Sequence, residues 1–382
     1  MATDTVQLEK LVQGNSAFAL DLYHALRNTC PGNLFFSPFS VSSCLAMALL
    51  GAKGNTASQI ARCLRLEGGG HETHIRLAAL QQTLLRDGDK VHVELRTANK
   101  LWSHAGLRVL SQFLQSADQY YRGGFQEVDF RNSHEAARLI NDWASKATNA
   151  MIPSLVTEGQ LSDAVFVLAN AIYFHGKWSI PFEREATLPR LFYLSSGEGI
   201  EVPMMGQCGP GWYARVHNFQ ILEKWYGDGE FSMVIIRPDR HDGLEELEAI
   251  LSSQKLDAWL SMLQEKDEID IQVPRFRIES SLQLNPALLA IGIGDLFDPK
   301  LADLSGITGN QDLFVHEAIQ KAVIEVEEEG TRAVAATAFT MLFTGSHRTP
   351  RTIFYADHPF LFLIRHNPSK TILFLGRVVD PS

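Results

Sequence analysis

Few residues in this chain are spaced for chemistry. His71-Glu72-Thr73-His74 follows three glycines and has the look of a metal motif. A helical zinc site of the HExxH kind needs its histidines one turn apart. Here they lie three positions apart, so the pattern departs from that motif and no metal site is expected. Gly292-Ile293-Gly294 and Gly209-Pro210-Gly211 are fragments of glycine-rich loops, and neither continues into a phosphate-cradling GxGxxG or GxxxxGK[ST]. No GxSxG elbow presents a serine. Glu325, Glu327, Glu328 and Glu329 form an acidic run, but they lack the Asp, Asn and spacing of a calcium loop and read as a solvated face. Nothing pairs a nucleophile with a base. The residues therefore point away from an enzyme, and no cofactor is expected.

The acidic run leads into a more telling stretch, GTRAVAATA from Gly330 to Ala338. It is too weakly hydrophobic for a core strand and lacks the Asn, Asp, Ser and Pro of an ordinary loop. With period two, Thr331, Ala333, Ala335 and Thr337 share one face, and all four are small. Such a face could slide between two strands that already exist.

The elements that must hold this stretch follow from composition and pattern. The chain has 382 residues, 45% hydrophobic and 20% charged, enough for a large core. Its net charge of -10 argues against general nucleic-acid binding. No apolar run reaches membrane-spanning length, and the opening MATDTVQLEKLVQGNSAF lacks the apolar core of a signal peptide. Cys30, Cys44, Cys63 and Cys208 are scattered, which suits free thiols better than a disulfide framework or zinc site. A cytoplasmic protein is the expectation; extracellular placement requires a removed signal or unconventional export.

Helices are expected early: Asn15 to Leu26 with Asn15 or Ser16 as cap, a helix after Ser37-Pro38, then Thr56 to Leu64 and His74 to Leu85. Strands are expected at Glu94 to Trp102 and then often after Ala164. AVFVLANAIYF reads as a central strand buried on both faces. SMVIIRP, DIQVPRFRIES, KAVIEVEEE, FLFLIRH and TILFLGRVV follow, the last two joined by a turn at Asn367 to Lys370. With no repeat or linker, the chain reads as one α+β domain.

Several segments, in order, resemble the serpin family of protease inhibitors. They are NLFFSPFSVSSCLAMALLGAKGNT from Asn33, INDWASKATNAMIPSLV from Ile140 and FVLANAIYFHGKWSIPFE from Phe166, then VPMM, VPRFRIESS, EEEGTRAVAATA and the C-terminal HPFLFLIRH with ILFLGRVVDP. The start resembles the ovalbumin-like intracellular branch. The resemblance implies a single serpin domain over residues 1–382. Its fold would have three β-sheets, about eight or nine helices and an exposed reactive-centre loop at about 330–356. It also implies a suicide substrate: a serine or sometimes cysteine protease cleaves and acylates the loop, which then inserts into the central sheet and distorts the enzyme.

On that resemblance, Glu328, Glu329, Gly330, Thr331, Ala333, Ala335 and Thr337 are hinge residues. Ser37, Ser40, Asn170 and Gln320 match a polar shutter under the central sheet, and Trp178 matches the breach, where insertion begins. Two departures stand out: Gln320 replaces the usual histidine before Lys321, and Ala150-Met151 replaces the usual Gly-Lys. Family spacing from Gly330 puts the scissile bond at Thr344–Gly345, which suits an elastase-like enzyme. Phe343 would suit a chymotrypsin-like pocket, and Arg348–Thr349 a trypsin-like one. Heparin binding is not expected, because the helix near His74 to Leu85 holds only Arg76, with Arg86 and Lys90 beyond. A monomer is expected. The alternative is a serpin that binds or chaperones without inhibiting; bulky or charged hinge residues would favour it, and this hinge is small.

Overall fold

The structure, a computed structural model, describes residues 2–66, 70–90, 92–122, 124–329 and 351–382. Six longer helices come first: α1 (Ala2–Arg27), α2 (Pro38–Leu49), α3 (Gly54–Cys63), α4 (His71–Asp87), α5 (Ser111–Tyr121) and α6 (Ser133–Ala147). Four short ones follow, α7 (Leu244–Ile250), α8 (Ser253–Leu260), α9 (Asn285–Ala290) and α10 (Ser305–Thr308). Ten α-helices thus lie among the described residues, against the eight or nine expected, because several one- or two-turn pieces add to the tally.

α1 starts well before the expected cap at Asn15. Asn15 lies inside the helix, 7% exposed, and donates to the Ile372 carbonyl at 3.0 Å, so it ties the helix to the sheet rather than starting it. α2 starts where the sequence predicts. Ser37 caps it by accepting from the Ser40 N–H at 3.2 Å, Pro38 opens it, and all twelve of its residues are buried.

Fifteen strands lie among the described residues. The first five are β1 (Leu34–Phe36), β2 (Asp89–Lys90), β3 (Val93–His104), β4 (Phe125–Val128) and β5 (Phe166–Gly176). The next five are β6 (Leu188–Tyr193), β7 (Gly199–Val216), β8 (Phe219–Tyr226), β9 (Phe231–Pro238) and β10 (Gln264–Pro274). The last are β11 (Phe276–Gln283), β12 (Glu317–Val326), β13 (Thr352–Tyr355), β14 (Phe360–His366) and β15 (Thr371–Val378).

They form a six-stranded sheet, ordered β11-β12-β5-β3-β2 with β4 also on β3, and a nine-stranded one, ordered β1-β15-β14-β9-β8-β7-β10-β13 with β6 on β7. The expected second and third sheets are joined into this one hydrogen-bonded network. The 18-residue β7 pairs with β6, β8 and β10 along its length and so bridges them. DIQVPRFRIES, read as one strand, is split at Arg275 between the two sheets. β10 ends at Pro274, which has no N–H for a ladder, and the Arg275 N–H turns to the Pro203 carbonyl at 2.9 Å.

β5 is buried at every one of its eleven residues, as its unbroken apolar run predicts. It runs antiparallel to β3 and parallel to β12. Within the loop expected at 330–356, β13 pairs in parallel with β10 at Thr352 to Tyr355, and Phe354 is fully buried.

After α6 the chain turns through Asn149 and Ala150, at φ of 50° and 62°. Ala150 stands where the resemblance implies glycine, and left-handed backbone costs a side-chain-bearing residue about 1–2 kcal/mol. Ala150→Gly relieves that strain while adding freedom to the unfolded chain. It should raise unfolding stability by a net of about 0.5–1 kcal/mol in a urea titration. A loss of stability would show that the turn tolerates Ala150 without strain.

Candidate conformational site in the six-stranded sheet

β12 and β5 are in register over eight pairs, from Glu317 with Val167 to Ile324 with Phe174. Gln320 stands opposite Asn170, and Asn170 opposite Asn99 on β3. Three amides therefore lie in one row across the middle of the sheet. Below them α2 presents Ser37 and Ser40.

The row is closely bonded. Gln320 Oε1 accepts from the Ser37 N–H at 2.8 Å, and its Nε2 donates to the Ser37 carbonyl at 3.1 Å and to Asn170 Oδ1. Asn170 Nδ2 donates to Ser40 Oγ and to Asn99 Oδ1, and Ser40 Oγ donates to Asn99 Oδ1 at 2.8 Å. Ser37, Ser40, Asn170 and Gln320 are all 2% exposed or less. The four residues expected at the shutter thus meet in one network. Gln320 takes a two-way grip on the Ser37 backbone that a single amide can supply, because it both donates and accepts. Sequence reading missed Asn99. Its signal was an asparagine inside ELRTANKLW, a residue type depleted in strands unless its side chain has a partner.

Above the row, Glu325 lies near the end of β12, which closes at Val326, and Glu327, Glu328 and Glu329 follow. The sequence suggested a solvated face; Glu325, Glu327 and Glu329 remain partly exposed, Glu328 is buried, and each of the four meets a partner. Glu325 accepts from Arg277 at 2.9 Å, and Glu327 lies 3.6 Å from His175. Glu328, 6% exposed, accepts from Thr187 Oγ1 at 2.8 Å and lies 3.6 Å from Arg275. Glu329 pairs with Arg184 at 2.9 Å. The chain leaving β12 is therefore tied to the segment that follows β5.

Trp178 makes the same tie through the backbone. Its indole N–H donates to the Glu327 carbonyl at 2.9 Å, and the Phe182 N–H donates to the Glu328 carbonyl at 2.9 Å. The Trp178 ring stacks on Tyr226 at 4.3 Å between centroids, and burial alone holds the Tyr226 hydroxyl well above its usual range. Gly176 permits this close approach, since a Cβ there would meet the Tyr226 ring at 2.6 Å.

The remaining expected residues lie elsewhere. Gly330, Thr331, Ala333, Ala335, Thr337, Phe343, Thr344, Gly345, Arg348 and Thr349 fall outside the described residues. His71 and His74 are both on α4 and face tyrosine hydroxyls, His71 Nδ1 that of Tyr120 at 2.6 Å and His74 Nδ1 that of Tyr121 at 2.8 Å. Among the described residues no group of three His, Cys, Asp or Glu could hold a metal ion, and the four cysteines are free. No helix among them is long and apolar enough to cross a membrane.

The amide row yields a direct test. Asn170→Ala leaves Gln320 Nε2 and Asn99 Oδ1 each short of a buried partner, at about 1–3 kcal/mol per group. Urea unfolding should show a loss of about 2–4 kcal/mol. Arg277→Ala, which removes a half-exposed ion pair on the edge of the same sheet, should lose under about 1 kcal/mol. Equal losses would mean the row contributes no more than a surface pair.

The comparisons with known proteins agree with this geometry. The family model described as "Serpin (serine protease inhibitor)" matches residues 13–381. The leukocyte elastase inhibitor of Sus scrofa is 40% identical over 388 residues, covering 98% of this chain and all of that protein. The leukocyte elastase inhibitor of Homo sapiens is 39% identical over 389 residues with the same coverage. Among solved structures, uncleaved ovalbumin superposes with a TM-score of 0.88 at 30% identity over 97% of this chain and all of that one. Maspin superposes with a TM-score of 0.87 at 25% identity over 98% of this chain and 99% of that one. A single family model spanning nearly the whole chain, and full-length relatives at this identity, mean that the chain belongs to the serpin family.

Proposed function

We propose that this chain is an inhibitory serpin that traps a serine protease by inserting its cleaved loop into the six-stranded sheet. One observation carries the reading: β5 and β12 are parallel neighbours, and the loop departs from the C-terminal end of β12. A segment folding back between them would run antiparallel to both. It would replace one slanted parallel ladder with two antiparallel ones, each somewhat more stable per residue. Each added backbone hydrogen bond contributes roughly 1 kcal/mol net, so an inserted strand of about ten residues gains on the order of 10 kcal/mol. The native form is then held by kinetics.

In this reading Gly330 permits the turn out of β12, and Thr331, Ala333, Ala335 and Thr337 enter facing the core. Glu328 and Glu329 anchor the hinge, Trp178 guards the breach, and Ser37, Ser40, Asn170 and Gln320 hold the shutter closed. The whole chain acts as one domain, with the loop ending near Arg351 where β13 begins. The relatives named leukocyte elastase inhibitors support an elastase-like target, and the small Thr344 at Thr344–Gly345 suits one. Arg348–Thr349 is the second bond, for a trypsin-like enzyme, and Phe343 would serve a chymotrypsin-like one. The protein acts as a cytoplasmic monomer, without cofactor or catalysis. The same reading leaves heparin out, which the contacts of Arg76 with Glu72 and Gln7 support.

Incubation with elastase, chymotrypsin and trypsin in turn tests this. The expected result is a covalent complex that survives a denaturing gel, with a released C-terminal peptide whose mass begins at Gly345. Cleavage without a complex, and without a rise in thermal stability afterwards, would leave a binding role instead.

A further inference from the structure

Lys224 lies in β8, 7% exposed, and no carboxylate meets its ammonium among the described residues. Nζ donates to the Ile180 carbonyl at 3.2 Å and to Gln207 Oε1 at 2.5 Å. It also sits 4.5 Å from the centroid of the Phe182 ring and 5.3 Å from that of Trp178. These are the two residues whose N–H groups hold the Glu327 and Glu328 carbonyls at the base of the loop. The cage around the cation and the clamp on the loop are therefore the same structure.

The titratable groups on the surrounding elements are engaged elsewhere. On β8, Glu223 pairs with Arg365 and Ser232, and Tyr226 stacks on Trp178. On β5, His175 lies by Glu327, and at the end of β12 Glu328 and Glu329 meet Arg275 and Arg184. On β7, Cys208 lies by Glu268. A buried cation held only by neutral oxygens and ring faces gains solvation whenever the Trp178–Phe182 segment lifts away.

We propose that Lys224 is a positioning residue whose proton governs opening of the breach: the protonated form favours opening, and the neutral form keeps the sheet shut. Its consequence for protease trapping rests on the inhibitory reading above; its effect on opening does not. Burial pushes the closed-state ammonium down to about 7, while a solvated lysine titrates near about 10.4. Above about 7 the closed state has lost the proton that the open state still binds, so opening takes up one proton. It is therefore disfavoured as pH rises, by up to about tenfold per unit. Below about 7 both states are protonated, and opening no longer depends on pH.

The test is hydrogen exchange of the Phe182 amide and the Trp178 indole N–H in the full chain, from about pH 6 to about pH 9. Wild type is compared with Lys224→Met, which is neutral throughout, and Lys224→Arg, which is charged throughout. Dividing by the Lys224→Met rate at each pH removes intrinsic base catalysis. The expected ratio is high and flat below about pH 7 and falls by up to about tenfold per unit above it; for Lys224→Arg it stays high. A purely packing role would give a constant ratio, and that result overturns the proposal. If Lys224→Arg does not fold, the wild-type and Lys224→Met pair still decides. Trapping of elastase over the same range separates the two readings. Proton-dependent opening without any covalent complex would keep Lys224 in its role and remove the inhibitory function.

Discussion

The structure depends on the parallel contact between β5 and β12. Parallel neighbours cannot be joined by a tight turn, and here they belong to distant parts of the chain, paired over only eight positions. Their contact leaves a more favourable arrangement within reach, since one more strand between them would be antiparallel to both. Most sheets avoid that situation by keeping no spare segment nearby. On the proposed inhibitory reading, the residues that follow β12 supply that strand, and the rest of the site delays its entry.

The site combines two kinds of polar chemistry. In the middle of the sheet, the amides of Gln320, Asn170 and Asn99 run across three strands and fasten to the start of α2 through Ser37 and Ser40. Parting β5 from β12 breaks the Asn170–Gln320 contact inside a buried row, where an unpaired amide is expensive. Because glutamine occupies the position where the family usually has histidine, this row carries no group that titrates near neutral pH.

At the top of the sheet the chemistry is ionic and aromatic instead. Glu325, Glu327, Glu328 and Glu329 each meet a neighbouring basic or hydroxyl group, so a run of like charges becomes a set of separate ties. Exposed pairs of this kind contribute little one at a time; Glu328 is the exception, since it is buried. Trp178 through its indole and Phe182 through its backbone N–H add two hydrogen bonds to the Glu327 and Glu328 carbonyls, and their rings enclose Lys224. On the proposed reading, an amide row without a titrating group below and a lysine cage above fit opening that starts at the top.

Much of this was legible in the sequence. The unbroken apolar run of β5 required a doubly covered central strand, and Ser37-Pro38 marked the start of α2; the small alternating residues after Gly330 lie outside the described residues and bear only on the proposed function. These are local signals: period, caps and side-chain size. The resemblance supplied Ser37, Ser40, Asn170, Gln320 and Trp178 as members of one site. Asn99, Lys224 and the separate partners of the acidic run were not legible, because each depends on register or on contacts between distant segments. Asn99 joins the row only because β3 pairs with β5 in one register and not its neighbour. Lys224 reads as an ordinary surface lysine until the fold closes Trp178 and Phe182 over it. The sequence by pattern alone determined where the central strand β5 and the start of α2 lie. Only the tertiary structure decided which side chains meet in the amide row and at the end of β12, because they come from strands and turns far apart in the chain, and their pairing is set by packing rather than by spacing.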